Sequence, residues 1–109
     1  MKDSIKIREY EKIIIVDLPE FINSIENVME FQSTLMKVIG RKENVALNMK
    51  ATVNIDSGVV VALLEAERAI QRHGKQLYII APSAQAKELL SVTYLTHVIP
   101  IINDEKDIL

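Results

Sequence analysis

Apolar and polar residues change their spacing several times along this chain, and each change marks an element. Ile5 and Ile7 alternate with Lys6 and Arg8, a period of two that suits a half-exposed strand. Glu9, Tyr10, Glu11 and Lys12 read as a polar turn, and Ile13-Ile14-Ile15-Val16 as a buried strand. So short a connection predicts an antiparallel hairpin, closed beyond Val16 by Pro19, which has no N–H to give to a ladder. From Asn27 the spacing becomes helical through Val28, Phe31, Leu35, Val38 and Ile39. Asn27 with Glu30 reads as a capping box, and Gly40 as the stop.

Val45-Ala46-Leu47-Asn48-Met49 predicts a third strand. A helix follows from Asp56-Ser57 to about His73, with Val59, Leu63, Ala66 and Ile70 on one stripe and Gly74 ending it. Leu77-Tyr78-Ile79-Ile80 is a fourth strand. Ala81-Pro82-Ser83 opens another helix whose inner face is Ala86, Leu89, Leu90 and Thr93, and residues 97–102, from His97 to Ile102, make a last strand. Acidic Asp104, Glu105 and Asp107 suit the start of a terminal helix rather than a metal site. Strands separated by single helices imply parallel pairing through crossovers. The expected fold is therefore α/β: a mixed sheet of about five strands, antiparallel only in the hairpin, with about four helices, in one domain over residues 1–109. Phe31, Leu35, Leu47, Leu63, Ile70, Ile79 and Leu90 are its expected core.

Composition narrows the function. Thirteen basic residues against fifteen acidic ones leave a net charge of −2 without long blocks, so no electrostatic footprint for nucleic acid is present. Zero cysteines exclude disulfides and thiolate metal sites, and two histidines are too few to predict a metal centre. No phosphate-cradling glycine motif occurs, and no cofactor is expected. The first residues, MKDSIKIREYEK, lack the apolar core of a signal peptide. No stretch reaches the ~20 apolar residues of a membrane helix, so a cytoplasmic protein without membrane contact is expected.

The stretch VNIDSGVVVALL carries the candidate chemistry. A nucleophilic Ser57 would need a base in reach, but His73 lies on the order of 24 Å along the predicted helix. His97 reads as a surface or packing residue, so no catalytic residue is assigned and the protein is not expected to be an enzyme. Asp56 and Ser57 instead suit a helix N-cap. The β-branched run Val59, Val60 and Val61 after Gly58 must be buried in part or offered to a partner. Asp56, Ser57, Gly58, Val59, Val60 and Val61 together form the candidate binding surface.

The order of elements, with NMKATVNIDSG, RHGKQLYIIAPS and LLSVTYLTHVIPI, resembles the STAS domain of bacterial anti-sigma factor antagonists, over residues 12–109. Its signature is an Asp-Ser-Ser/Thr-Gly turn before a helix. The resemblance implies that Ser57 is phosphorylated by a partner that is both anti-sigma factor and serine kinase, that only the unphosphorylated form binds it, and that Asp56 is the supporting acid. It further implies a phosphoprotein of transcriptional signal transduction, monomeric when free. The alternative is a non-phosphorylated scaffold subunit of a larger signalling or transport assembly. Gly74, Pro82, Leu90 and Leu95 fit the family's pattern. Gly58 stands where the family has Ser or Thr, Val59 and Val61 at usual glycines, Ile22 and Asn48 at common aspartates, and Tyr94 at a common glycine.

Overall fold

In the computed structural model, which describes residues 5–108, the apolar run at Ile13 is the second strand of a five-stranded sheet. Strands β1 (Lys6–Tyr10) and β2 (Ile13–Asp17) form the predicted hairpin, antiparallel with Tyr10 opposite Ile13, so the turn is only Glu11 and Lys12. The polar turn expected from Glu9 is thus two residues shorter, because Glu9 and Tyr10 continue the ladder. Beyond β2 the sheet is parallel, through β4 (Asn44–Asn48), β6 (Leu77–Ile80) and β7 (Ile101–Ile102), in the order β1-β2-β4-β6-β7. Residues 1–4 and Leu109 of the expected single domain lie outside the described residues.

Three α-helices, α1 (Ile25–Ile39), α2 (Ser57–Arg72) and α3 (Ala84–Val92), connect the strands. The expected terminal helix is a single 3-10 turn, Glu105–Asp107, capped by Asp104, so the expected four or so α-helices become three among the described residues. The first helix starts earlier than the Asn27–Glu30 box predicts: Ser24 is the cap, and its Oγ accepts from the Asn27 amide at 3.1 Å. Gly40 does not use its freedom, since its φ is −63°; the left-handed residue that turns the chain is Lys42, at φ 61°. Gly74 behaves as expected. At φ 69° it lets the Lys75 N–H reach the Ile70 carbonyl while its own N–H reaches Gln71, the Schellman closure of α2. The third helix begins at Ala84 on a Ser83 cap, and Thr93 is exposed at its end, giving its hydroxyl to Leu89 and Leu90 carbonyls.

Two elements have no counterpart in the pattern. Strands β3 (Phe21–Ile22) and β5 (Asn54–Ile55) pair in parallel as a separate two-stranded ladder. The expected strand over residues 97–102 shrinks to β7, because His97 belongs to a 3-10 turn, Leu95–His97, and the Ile99 N–H is spent on the Leu95 carbonyl. Pro100 then has no N–H to offer.

Alternate residues of β2 point to opposite faces. Ile14 and Val16 join the main core with Phe31, Leu35, Leu47, Leu63, Ile70, Ile79 and Leu90, all buried as predicted. Ile13 and Ile15 join a smaller cluster with Ala46 and Ile80 on the other face, closed by Ile102 and Ile108. A strand apolar on both sides is what a sheet covered on both faces requires.

Candidate functional site

The site grows from the short ladder. β3 holds the chain entering α2 from one side: the Asp56 N–H donates to the Ile22 carbonyl at 3.2 Å. On the other side, Gln85 of α3 brackets Ile55, its Oε1 accepting from the Ile55 N–H at 3.1 Å and its Nε2 donating to the Ile55 carbonyl at 3.0 Å. Ser83 Oγ adds a bond to the Val53 carbonyl at 3.0 Å. The residue before the turn therefore has both backbone polar groups occupied, and the turn is held in one place.

Asp56 is the N-cap of α2. Its backbone is extended, and its Oδ1 accepts from the Gly58 N–H at 2.8 Å, satisfying one amide of the first turn. Ser57 is the first helical residue and is exposed, and among the described residues its hydroxyl makes no hydrogen bond. The structure thus brings Asp56 and Ser57 side by side without joining them: the carboxylate serves Gly58. His73, the C-cap, is at the far end of the same helix, and His97 is exposed on its 3-10 turn.

Of the three valines, Val59 is fully buried in the main core. It is therefore corrected from a partner-facing residue to a packing one; at the third helical position its side chain points inward. Val60 is half-buried, and Val61 is 57% exposed. Leu64, one turn on from Val60 and Val61, is also exposed.

The neighbouring helix adds residues that the sequence pattern did not single out. A Cβ on Gly58 would lie 3.1 Å from Val28 Cγ1, so α1 and α2 approach closely at their N-terminal ends. Gln32 Nε2 donates to Glu65 Oε1 at 3.1 Å further along. On the outer side of this seam Ile25 and Met29 are 79% and 63% exposed. Val61 and Leu64 lie one and two turns on from Ser57 on the same helix, and Ile25 and Met29 belong to the N-terminal part of the helix that Gly58 approaches. Ile25 and Met29 fall one helical turn apart, and that spacing on the polar phase of α1 is the signal that could have found them. Gln85 and Ile22 carry no such signal, since their roles depend on which backbone lies beside them.

Comparison with solved structures gives the same fold. An anti-sigma-factor antagonist (STAS) domain protein from Planctomyces limnophilus superimposes with a TM-score of 0.84 at 16% identity, over 94% of this chain and 92% of that one. The Bacillus cell fate determinant SpoIIAA in its phosphorylated form gives 0.73 at 13% identity, covering 96% of each chain. The murine anion transporter Slc26a9 gives 0.68 at 18% identity, over 92% of this chain but only 17% of the transporter. At these identities the likeness is one of fold. No curated protein matches the chain in sequence. The family comparison rests on sequence: residues 4–108 match the family described as STAS domain, and the chain belongs to it.

Proposed function

We propose that this STAS domain is a phospho-switched binding module. It acts in the cytoplasm as an anti-sigma factor antagonist, binds an anti-sigma factor with serine kinase activity, and is switched off when Ser57 is phosphorylated. Sigma-factor-dependent transcription then follows the phosphorylation state. The observation that carries this reading is the exposed, unbonded Ser57 hydroxyl at the start of α2, next to the Asp56 carboxylate and followed on the same helix by the exposed Val61 and Leu64. Support also comes from the likeness to SpoIIAA, whose structure is known in a phosphorylated form. A binding module rather than an enzyme fits the turn, because Asp56 is occupied by the Gly58 amide and His73 lies at the far end of α2.

The switch follows from electrostatics. A phosphate on Ser57 sits at the positive end of α2, where it adds about −1.5 to −2 charges at little cost to the free domain. A partner packing on Val61 and Met29 would have to desolvate that phosphate beside Asp56, with no basic residue between Asn54 and Arg68 in sequence to neutralise the pair. Ser57→Ala is expected to bind the anti-sigma factor constitutively and Ser57→Asp at least about tenfold more weakly by calorimetric titration, a difference of about 1.4 kcal/mol. Both variants are expected to unfold within about 0.5 kcal/mol of wild type. Equal affinities for the two would remove the switch in favour of a scaffold role, the reading that the transporter's STAS-like segment favours.

A further inference from the structure

The face of the sheet turned away from the helices is crossed by the end of the chain. β7 lies at one edge of the sheet and β1 at the other, yet residues 104–108, which follow β7, reach Arg8 on β1. Arg8 Nη1 and Nη2 donate to the Glu105 carboxylate at 3.1 and 2.8 Å. The same guanidinium grips Asp17 on β2, with Nε to Oδ2 at 2.6 Å and Nη2 to Oδ1 at 2.7 Å. Asp17 Oδ1 accepts in turn from Asn48 Nδ2 at 2.8 Å, and Asn48 Oδ1 accepts from the Lys50 N–H at 3.1 Å. One hydrogen-bonded chain therefore runs from the C-terminal segment, over the back of the sheet, to the loop between β4 and β5. That loop leads into Asn54, Ile55, Asp56 and Ser57, and it is tied on the way by Thr52 Oγ1 to the Pro19 carbonyl at 2.8 Å.

The contact between Glu105 and Arg8 is the longer of the two that Arg8 makes with carboxylates, 3.1 and 2.8 Å against 2.6 and 2.7 Å for Asp17. The Arg8 and Glu105 side chains are 34% and 27% exposed, so a competing charged group can reach them. Residues 104–108 have one 3-10 turn of their own and rest on the sheet through Ile108. A cavity of about 570 Å³ adjoins them, walled by Asp107 and Ile108 on the strap side and by Ile13 and Tyr78 on the sheet side. A group seated there bears directly on the segment.

We propose that residues 104–108 are a strap latched by Glu105 on Arg8, and that closing the latch orders the Lys50 loop and the turn that carries Ser57. The strap is then a regulatory input to that turn; its regulatory role rests on the Ser57 reading above, whereas the coupling itself does not. Amide hydrogen exchange on the full chain tests it. Glu105→Gln is expected to speed exchange about threefold or more at residues 106–108 and also at Lys50 and residues 52–56, with the amides of Leu47 and Ile79 unchanged as a check on the fold. In an Asn48→Ala background, which cuts the chain of bonds, Glu105→Gln is expected to loosen the strap but leave residues 52–56 alone. A loop unaffected by Glu105→Gln, or one that responds equally without Asn48, overturns the proposal. Phosphorylation assayed separately with the cognate kinase keeps the two readings apart: a responsive loop with an inert Ser57 upholds the coupling and sinks the switch, and a phosphorylated Ser57 with a deaf loop does the reverse.

Discussion

A Cβ built on Gly58 meets Asp56 Oδ1 and Val28 Cγ1, each at 3.1 Å, tighter than ordinary van der Waals contact. Where the resemblance implies Ser or Thr, this chain has glycine because α1 comes close at that point. Val28 is β-branched on a helix and cannot rotate away cheaply, and Asp56 is held by its cap. Gly58→Thr is therefore expected to destabilise by about 1–3 kcal/mol in urea titration, as overpacking does, and Val28→Ala is expected to recover most of that loss. An unchanged midpoint for Gly58→Thr would mean that the two helices part without cost. Tyr94 shows the opposite case. It sits at a common glycine of the family, and its φ of 63° is left-handed, a conformation that costs a non-glycine residue about 1–2 kcal/mol. Tyr94 is 72% exposed and its ring pairs with that of His97 at 5.7 Å between centroids, so burial offsets little of the strain. Relief of that strain, less the added freedom of the unfolded chain, leads to a net gain of about 0.5–1 kcal/mol for Tyr94→Gly. A loss of stability in the same titration would show that the ring is held by contacts worth more than the backbone strain.

Elements with a repeating period were legible, and those without one were not. The stripe Val59, Leu63, Ala66 and Ile70 repeats often enough to fix the phase of α2, and all four are buried. Leu63→Ala is accordingly expected to cost about 2–5 kcal/mol, measured as a shift of denaturation midpoint at constant slope. Strands β3 and β5 are two residues each, too short to show any alternation, and they exist because α1 and α3 press them together. Ser24 and Asn27 are both good caps, and spacing alone cannot choose between them. Ser24 is the cap, which brings Ile25 into the first turn of α1 and leaves it 79% exposed. The cap Asp56, the position of Ser57 and the burial of the core were therefore readable from spacing and residue type. The Gln85 bracket and the apolar pair on α1 needed the third dimension, whereas the stripe already placed Val59 inward against its grouping with the binding surface.

The sheet as a whole needs cover on two sides, and the helices supply only one. The apolar residues Ile13, Ile15, Ala46 and Ile80 of the other face are closed by the chain end, which Arg8 fastens from the opposite edge. No local pattern announces such a contact, since Arg8 and Glu105 are 97 residues apart. Its electrostatics are testable. Burial pushes the Asp17 carboxyl up, but hydrogen bonds from Arg8 and Asn48 and the Arg8 charge outweigh it and hold the group below its ordinary value. A carboxylate whose pKa is depressed by folding contributes stability above its unfolded value of about 3.9, and that contribution is lost as pH falls through the lower folded value. Wild type is therefore expected to be more stable than Asp17→Asn at pH 6. The gap should stay nearly constant down to about pH 5, narrow steadily below about pH 4, and shrink towards zero once Asp17 is protonated in both states. Urea titrations of both proteins across that range decide the matter. A gap that stays constant to pH 2 would mean that Asp17 acts by shape and hydrogen bonding alone, and that the charge on Arg8 is held by Glu105 without it.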